Sequence, residues 1–428
     1  LKPLKVAIST VGCRANQADS AALLSRLDRR RVLLCAESEP SDIVIINTCT
    51  VTAEADRDCR KRARRALGVS PNATVFLIGC AVNVNPSFGE DVDPRIQSLP
   101  FEQGMPEALA ARLNAIASAD EEDGDSSDFG LTDRLLGRTR GLLKIQNGCS
   151  HGCSYCIVPK ARGRERSMPV SEVMSEIDRF KDAGFKELVI TGVQLGAWGR
   201  DLGLPSGLGA LLVSAAERFA PGRIRLSSVE PWSIDDSLLE AVLHHGSICP
   251  HLHLPLQNGD DNILNAMRRG YDSAVYLRIA DKIRKLNADA ALGTDVILGF
   301  PGEDEAAYQN TVAVLKSLSP SYLHAFTFSP RQGTRAATMD GRPDKEIARQ
   351  RTRKIRLLSE SFSLAFRQAH IGRTCEVIAE EERGDALFAL TDTFVRVRLA
   401  KQAARPGELV SVRITGANEE FAEGVIAS

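Results

Sequence analysis

Over the first 118 residues, short apolar runs alternate with stretches of helical periodicity. Val6–Ser9, Ile43–Ile46 and Val75–Ile78 read as strands, each followed by a polar turn. Strands that alternate with helices predict a mostly parallel α/β sheet for residues 1–118. The stretch Ala119–Asp128 (ADEEDGDSSD) is acidic and has no large apolar side chain, so 119–140 is expected to be a linker. The alternation then resumes over a longer span. Leu142–Gln146, Glu187–Thr191, Arg223–Ser227, His251–Leu254, Leu292–Ile297 and Tyr322–Phe328 are the candidate strands. With their intervening helices they suit a parallel barrel or partial barrel, whose active site lies at the carboxyl ends of the strands. A long polar helix, about Asp344–Ala369, closes this unit, 141–368. In 369–428 the period falls to two. Cys375–Ala379, Phe388–Val397, Leu409–Ile414 and Phe421–Ile426 read as antiparallel strands, with turns at Arg383-Gly384, Pro406-Gly407 and Gly416. A small all-β barrel or sandwich is expected there, of the kind that binds RNA.

Composition narrows the class. Hydrophobic residues make up 43% and charged residues 25% of the 428, as in soluble globular proteins. The net charge of −1 means that any affinity for nucleic acid must come from local basic stripes. No apolar run approaches the roughly 20 residues of a membrane span, and Leu1–Lys5 lead straight into a strand-like run, so neither membrane attachment nor a signal peptide is expected. Ten cysteines are too sparse for a disulfide scaffold. Their clustering suits metal ligation in a reducing, cytoplasmic setting.

Cys149, Cys153 and Cys156 share one short segment, GCSHGCSYC. A structural zinc site wants four protein ligands and usually shows Cys-x₂-Cys pairs. Three thiolates on one loop can instead hold three irons of a 4Fe–4S cube and leave the fourth open to a ligand. The loop follows the first barrel strand, at the catalytic end, and Tyr155 could lay its ring against an adenine. A CxxxCxxC loop with an aromatic before its last cysteine resembles the radical-SAM superfamily. There, S-adenosylmethionine (SAM) chelates the open iron and is cleaved by one electron to a 5′-deoxyadenosyl radical.

Cys13, Cys49 and Cys80 each follow directly on a candidate strand: VAISTVGC, IVIINTC and TVFLIGC. In a parallel sheet the carboxyl ends of the strands line one edge, so these distant residues converge there. One such cysteine alone is best read as a small buried hydrophobe; three in the same position favour shared ligation. Cys35, Cys59, Cys249 and Cys375 have no partner pattern and read as structural.

TVGCRANQADS, NTCTVTAEADRDCRKRARR and IGC, placed before that loop, resemble the methylthiotransferase family, with its MiaB, RimO and MtaB types. The similarity continues through TGVQLGAWG, RLSSVEP, HLHLPLQNGDDNILNAMRRGY, GTDVILGFPGE and FSPRQGTRAATM. It ends in a barrel similar to the TRAM domain and is least evident over residues 81–140. The resemblance implies an N-terminal methylthiotransferase domain, a central radical-SAM partial (β/α)6 barrel and a TRAM-like barrel. It implies two 4Fe–4S clusters, the second carrying or delivering sulfur, and two SAM molecules: one methylates sulfur and the other yields the radical that takes hydrogen from an unactivated carbon. An electron donor such as a flavodoxin or ferredoxin and a sulfur donor are implied partners of a monomer. Such chemistry needs no Ser/His/Asp or paired-carboxylate constellation. His251 and His253, on one face of their strand, are as consistent with a structural role as with a site.

For SAM itself the candidates lie at strand ends: Gly192 and Gln194, Ser228 and Glu230, Gln257 and Asp295, besides Tyr155. Three basic stretches point to RNA. Arg57, Arg60, Lys61 and Arg64 form one helical stripe, with Ala55, Cys59, Ala63 and Ala66 on the opposite face. Lys160, Arg162, Arg164 and Arg166 follow the SAM loop, and Arg349, Arg351, Arg353, Lys354 and Arg356 lie on the long helix. Phosphate contacts there would position a tRNA. NTCTVT with AEADR is most similar to the MtaB type, which acts on threonylcarbamoyl-adenosine next to the anticodon. The alternatives are isopentenyl-adenosine of tRNA, a ribosomal-protein aspartate, a radical-SAM methylase without sulfur insertion, and a non-catalytic iron–sulfur or RNA-binding protein. Arg14-Ala15-Asn16 stands where the ribosomal-protein enzymes tend to have Pro-Lys-Asn.

Overall fold

The computed structural model describes residues 3–28, 30–90, 92–100, 105–117, 138–204 and 207–427. The expected acidic linker, 119–140, lies outside these except for 138–140.

Five parallel strands form the N-terminal sheet, in the order Val32–Cys35, Leu4–Thr10, Ile43–Thr48, Thr74–Gly79, Ile96–Ser98. The three expected strands are its centre, and two short ones flank them. Ile43–Thr48 is buried at every residue, as a strand covered on both faces must be. Apolar layers cover the two faces. Cys59, Ala63 and Ala66 of the helix Ala53–Val69 pack on one. Leu23, Leu24, Leu109 and Leu113 from Arg14–Leu24 and Met105–Ala117 pack on the other. The strand order reverses between Leu4–Thr10 and Ile43–Thr48, so a crevice opens there at the carboxyl edge.

Six parallel strands follow in chain order: Gly141–Asn147, Glu187–Gly192, Arg223–Leu226, His251–His253, Ala291–Leu298 and Tyr322–Thr327. Only the bridges Ile224–Ile248 and Ser228–His253 join the third to the fourth, so the sheet curves without closing. Leucine, isoleucine and valine on its outer face make one large core with the surrounding helices. The helix Lys345–Gln368, capped by Asp344, packs on the last strand through Ser359, whose hydroxyl donates to the Leu323 carbonyl at 2.8 Å.

Beyond it, a closed barrel runs Thr374–Arg383, Ala386–Thr391, Arg396–Ala400, Ala422–Ile426, Leu409–Ala417. Three expectations are corrected here. Phe388–Val397 is two strands, because the chain turns at Thr391–Val395, where Phe394 has φ 65° and Thr391 Oγ1 accepts from the Val395 N–H. Gly416 sits at a bulge inside a strand and makes no turn. The pair that closes the barrel, Arg396–Ala400 with Ala422–Ile426, is parallel.

Candidate iron–sulfur and substrate site

Cys13, Cys49 and Cys80 stand at the carboxyl ends of three adjacent strands, at the reversal of strand order. Two glycines allow them to meet. Gly12 has φ +106°, and a Cβ on it would fall 2.8 Å from Cys49 Sγ; Gly79, at φ +92°, would collide with Asn47 Oδ1. Asn16, fully buried, ties the loops together by donating to the carbonyls of Val11 (2.8 Å) and Thr48 (2.9 Å). Its Oδ1 lies 3.7 Å from Cys80 Sγ and 4.0 Å from Cys13 Sγ.

Burial pushes the Cys49 thiol up to about 12 and raises that of Cys80, where the Arg162 guanidinium pulls the other way. A thiol held so high loses its proton to a metal, not to water. Arg162 Nε donates to Cys80 Sγ at 3.3 Å, and its other nitrogens reach Asn147 Oδ1 (2.9 Å), Asp19 Oδ2 (2.8 Å) and Asn16 Oδ1.

The second trio shares one loop after Gly141–Asn147. Gly148, at φ +77°, makes the turn, because a Cβ there would overlap the Arg164 carbonyl. Cys149 and Cys156 are raised to about 11 and about 12 by burial. Backbone N–H groups two residues on oppose this: His151 for Cys149, Val158 for Cys156 and, in the first trio, Val51 for Cys49. Such donors stabilise thiolates in iron–sulfur sites. A buried guanidinium serves here too: Arg269 donates to Cys153 Sγ and Tyr155 Oη, each at 3.3 Å, and pairs with Glu230. Both donor sets are three thiols with cationic and N–H support, the chemistry of an iron–sulfur ligand set.

The trios face each other. Asn83, just past Cys80, donates to the Ala161 carbonyl at 2.6 Å, and Arg162 spans from Cys80 to Asn147. Arg331 and Ser329, after the last central strand, hold Thr50, Asp56 and Ala53 beside Cys49. The first crevice therefore lies over the carboxyl ends of the central strands, and between them is a chamber. Its inner wall is polar and aromatic. Ser228 Oγ bonds His253 Nδ1 (2.6 Å), whose Nε2 bonds Asp295 Oδ1 (3.1 Å); His251 Nε2 bonds Tyr322 Oη (2.7 Å). His324 and Phe326, on the same face of the last strand as Tyr322, are exposed. Phe394, carried by the turn of the C-terminal barrel, stacks on His251 at 4.7 Å and forms the floor.

Of the residues expected to meet SAM, Gln194 and Tyr155 adjoin the second trio directly: the Gln194 amide is 3.3 Å from Cys149 Sγ. Glu230 joins them through Arg269, with Trp232 stacked 4.7 Å from that guanidinium. Gly192 ends its strand against Gln146, whose Oε1 accepts from the Gln194 N–H at 2.7 Å. Ser228 and Asp295 instead gather on His253, and Gln257, at φ 69°, bonds the Asp295 carbonyl through its backbone.

Of the residues expected to meet RNA, Arg57, Lys61, Arg64 and Arg164 are exposed, and Arg60 lies over the Phe88 ring at 4.3 Å. Arg162 is corrected: its side chain is buried at the first trio, where thiolate, carboxylate and amides use its donors. Arg351 of the third basic stretch is likewise inward, paired with Glu303 and Glu305, both at 3.0 Å. Sequence reasoning missed Asn16, Asp19, Gln146 and Arg269. A lone arginine or asparagine carries no spacing signal, and only the fold brings each to its cysteine.

The fold and paired cysteine loops are those of a radical-SAM enzyme. Residues 143–315 match the radical SAM superfamily, and residues 5–98, with all three cysteines of the first trio, match the uncharacterized protein family UPF0004. The fold resembles that of TsrM, a radical S-adenosylmethionine methyltransferase from Kitasatospora setae (TM-score 0.53, 13% identity, 76% of this chain and 75% of that one). The chain is 31% identical to the threonylcarbamoyladenosine tRNA methylthiotransferase MtaB of Rickettsia prowazekii, covering 99% of this chain and 98% of that one. For MtaB of Bacillus subtilis the values are 31%, 98% and 95%. A tRNA-2-methylthio-N(6)-dimethylallyladenosine synthase from Erythrobacter litoralis is 30% identical, covering 88% and 87%. The chain belongs to the radical-SAM methylthiotransferase family, MtaB type.

Proposed function

We propose that this protein adds a methylthio group to threonylcarbamoyl-adenosine in tRNA, with SAM and two 4Fe–4S clusters held by Cys13, Cys49, Cys80 and by Cys149, Cys153, Cys156. The observation that carries this reading is the pair of thiolate trios opening on one chamber and bridged by Arg162. When bound, the clusters supply the electron that splits SAM and the sulfur that is transferred.

The protein's own groups do the positioning. Arg162 and Arg269 lower the charge felt by Cys80 and Cys153 and fix their loops. Gln194, Tyr155 and Glu230 line the second trio as SAM contacts, with Gly192 at the end of the strand beside them; Ser228, Gln257 and Asp295 shape the wall below. Phe394 closes the floor and keeps water from the reacting carbon. Arg57, Arg60, Lys61, Arg64 and Arg164 grip phosphates, assisted by a C-terminal barrel of TRAM type. We assign residues 1–118 to sulfur insertion, 141–368 to radical formation and 369–428 to RNA binding. A flavodoxin- or ferredoxin-like reductant and a sulfur donor complete the reaction of a cytoplasmic monomer.

Anaerobic reaction of the reconstituted protein with SAM, reductant and tRNA, followed by mass analysis of the nucleosides, tests this. The expected product is threonylcarbamoyl-adenosine carrying a thiomethyl group. SAM cleavage with unchanged nucleosides would overturn it.

A further inference from the structure

Arg14 directly follows Cys13, and its guanidinium enters the chamber, 6.0 Å from the centre of the Phe394 ring. Among the described residues it has no hydrogen-bond or ion-pair partner. The carboxylates around it are already engaged by other groups. Arg225, Arg223 and Arg140 converge on one buried carboxylate, Glu187, at 2.8, 2.7 and 3.5 Å. Glu376 and Glu380 take the spare donors of Arg223 and Arg140, and Asp295 is engaged by His253. Arg14 is left over. Its charge is felt by His251 and His324 on the facing wall. A half-buried guanidinium without a counter-charge is a site for an anion.

We propose that Arg14 receives the carboxylate of the threonyl substituent and so selects the modified base. This rests on the substrate reading above and adds the contact that recognises it. On adenine, N6 and C2 flank N1 on the same edge. A base that presents C2 to sulfur at the first trio therefore brings its N6 substituent beside the residue after Cys13. Carboxylate and guanidinium pair through two parallel hydrogen bonds. A dimethylallyl group offers no charge and would leave Arg14 unpaired, which disfavours it.

The test uses cluster-loaded protein and three anticodon stem-loop oligonucleotides, carrying threonylcarbamoyl-adenosine, its threonine-carboxamide analogue, or plain adenosine. Dissociation constants come from fluorescence anisotropy, and products from mass analysis. The wild-type protein should bind the carboxylate form about tenfold more tightly than the amide, the worth of one charge-assisted pair. Arg14→Gln should bind both alike, with iron content and affinity for the plain oligonucleotide unchanged, and Arg14→Lys should recover part of the preference. Equal affinity of the wild-type protein for the two forms, or a preference that survives in Arg14→Gln, would overturn the role of Arg14. A wild-type protein that prefers the carboxylate yet adds no thiomethyl group would overturn the substrate reading instead.

Discussion

Cys149, Cys153 and Cys156 lie within eight residues on one loop, whereas Cys13, Cys49 and Cys80 come from three strand ends separated by 36 and 31 residues. The local trio needs one glycine turn and one loop conformation. The distributed trio needs the order of a five-stranded sheet, two glycines at positive φ and a buried asparagine that staples two loops. Yet each has one cysteine sulfur facing a buried arginine neutralised by one acid: Arg162 with Asp19, Arg269 with Glu230. The difference lies in what else each arginine holds. Arg162 reaches across to Asn16 and Asp19 of the helix after Cys13, while Arg269 contacts only residues of the central strands and their loops.

That contrast can be broken by mutation. Arg162→Met leaves the Asp19 side chain, 2% exposed, with Lys144 alone, and unties Cys80 from Asn147. Urea denaturation should show a loss of roughly 3–5 kcal/mol, as for a buried pair stripped of one partner. Arg269→Met leaves Glu230, whose side chain is 24% exposed, able to reach water, so the loss should be smaller, about 2–3 kcal/mol. Equal losses would contradict the view that Arg162 bridges the two regions.

A smaller effect comes from the chamber. Burial first, then Arg225, Arg14 and His253, hold the His251 pKa well below its usual range, with Glu187 opposing. The unfolded chain, with a histidine near 6.5, therefore binds the proton more readily than the folded one. Stability should fall as pH drops below about 6.5, with His251 contributing up to about 1.4 kcal/mol per pH unit. Glu187, whose pKa is depressed because Arg225, Arg223 and Arg140 outweigh its burial, keeps its contribution to much lower pH. Thermal melts from pH 7 to 5 should show a shallower decline for His251→Phe than for wild type; identical slopes would count against a neutral buried His251. The smallest change in the fold, and one confined to RNA, is Arg57→Glu with Arg64→Glu. Melting should barely move, while the slope of log affinity for tRNA against log salt falls by about 0.7–0.9 for each phosphate no longer neutralised. An unchanged slope would make the stripe a solvated face.

Much of this is visible in the residues. All six central strands stand where alternation puts them, Cys13, Cys49 and Cys80 stand at strand ends, and Cys149, Cys153 and Cys156 stand on the loop after the first central strand. Strand ends carry directional information, because a parallel sheet gathers them on one edge. Partners recruited from elsewhere do not. Arg162 looks like part of a basic run because its neighbours Lys160 and Arg164 do, and nothing local distinguishes the one that turns inward. Phe388–Val397 looks like one strand because Phe394 and Val395 continue its apolar pattern; the turn depends on Thr391 and on a ring drawn into another domain.

The most direct measurement is iron and acid-labile sulfide per chain, with SAM cleavage, in wild type, Cys49→Ala and Cys153→Ala reconstituted side by side. Two independent four-iron sites predict about eight irons in wild type and about four in each variant. Cleavage should persist in Cys49→Ala and vanish in Cys153→Ala. About four irons in the wild-type protein, or the same iron content in Cys49→Ala as in wild type, would mean that the three strand-end cysteines do not form a cluster site.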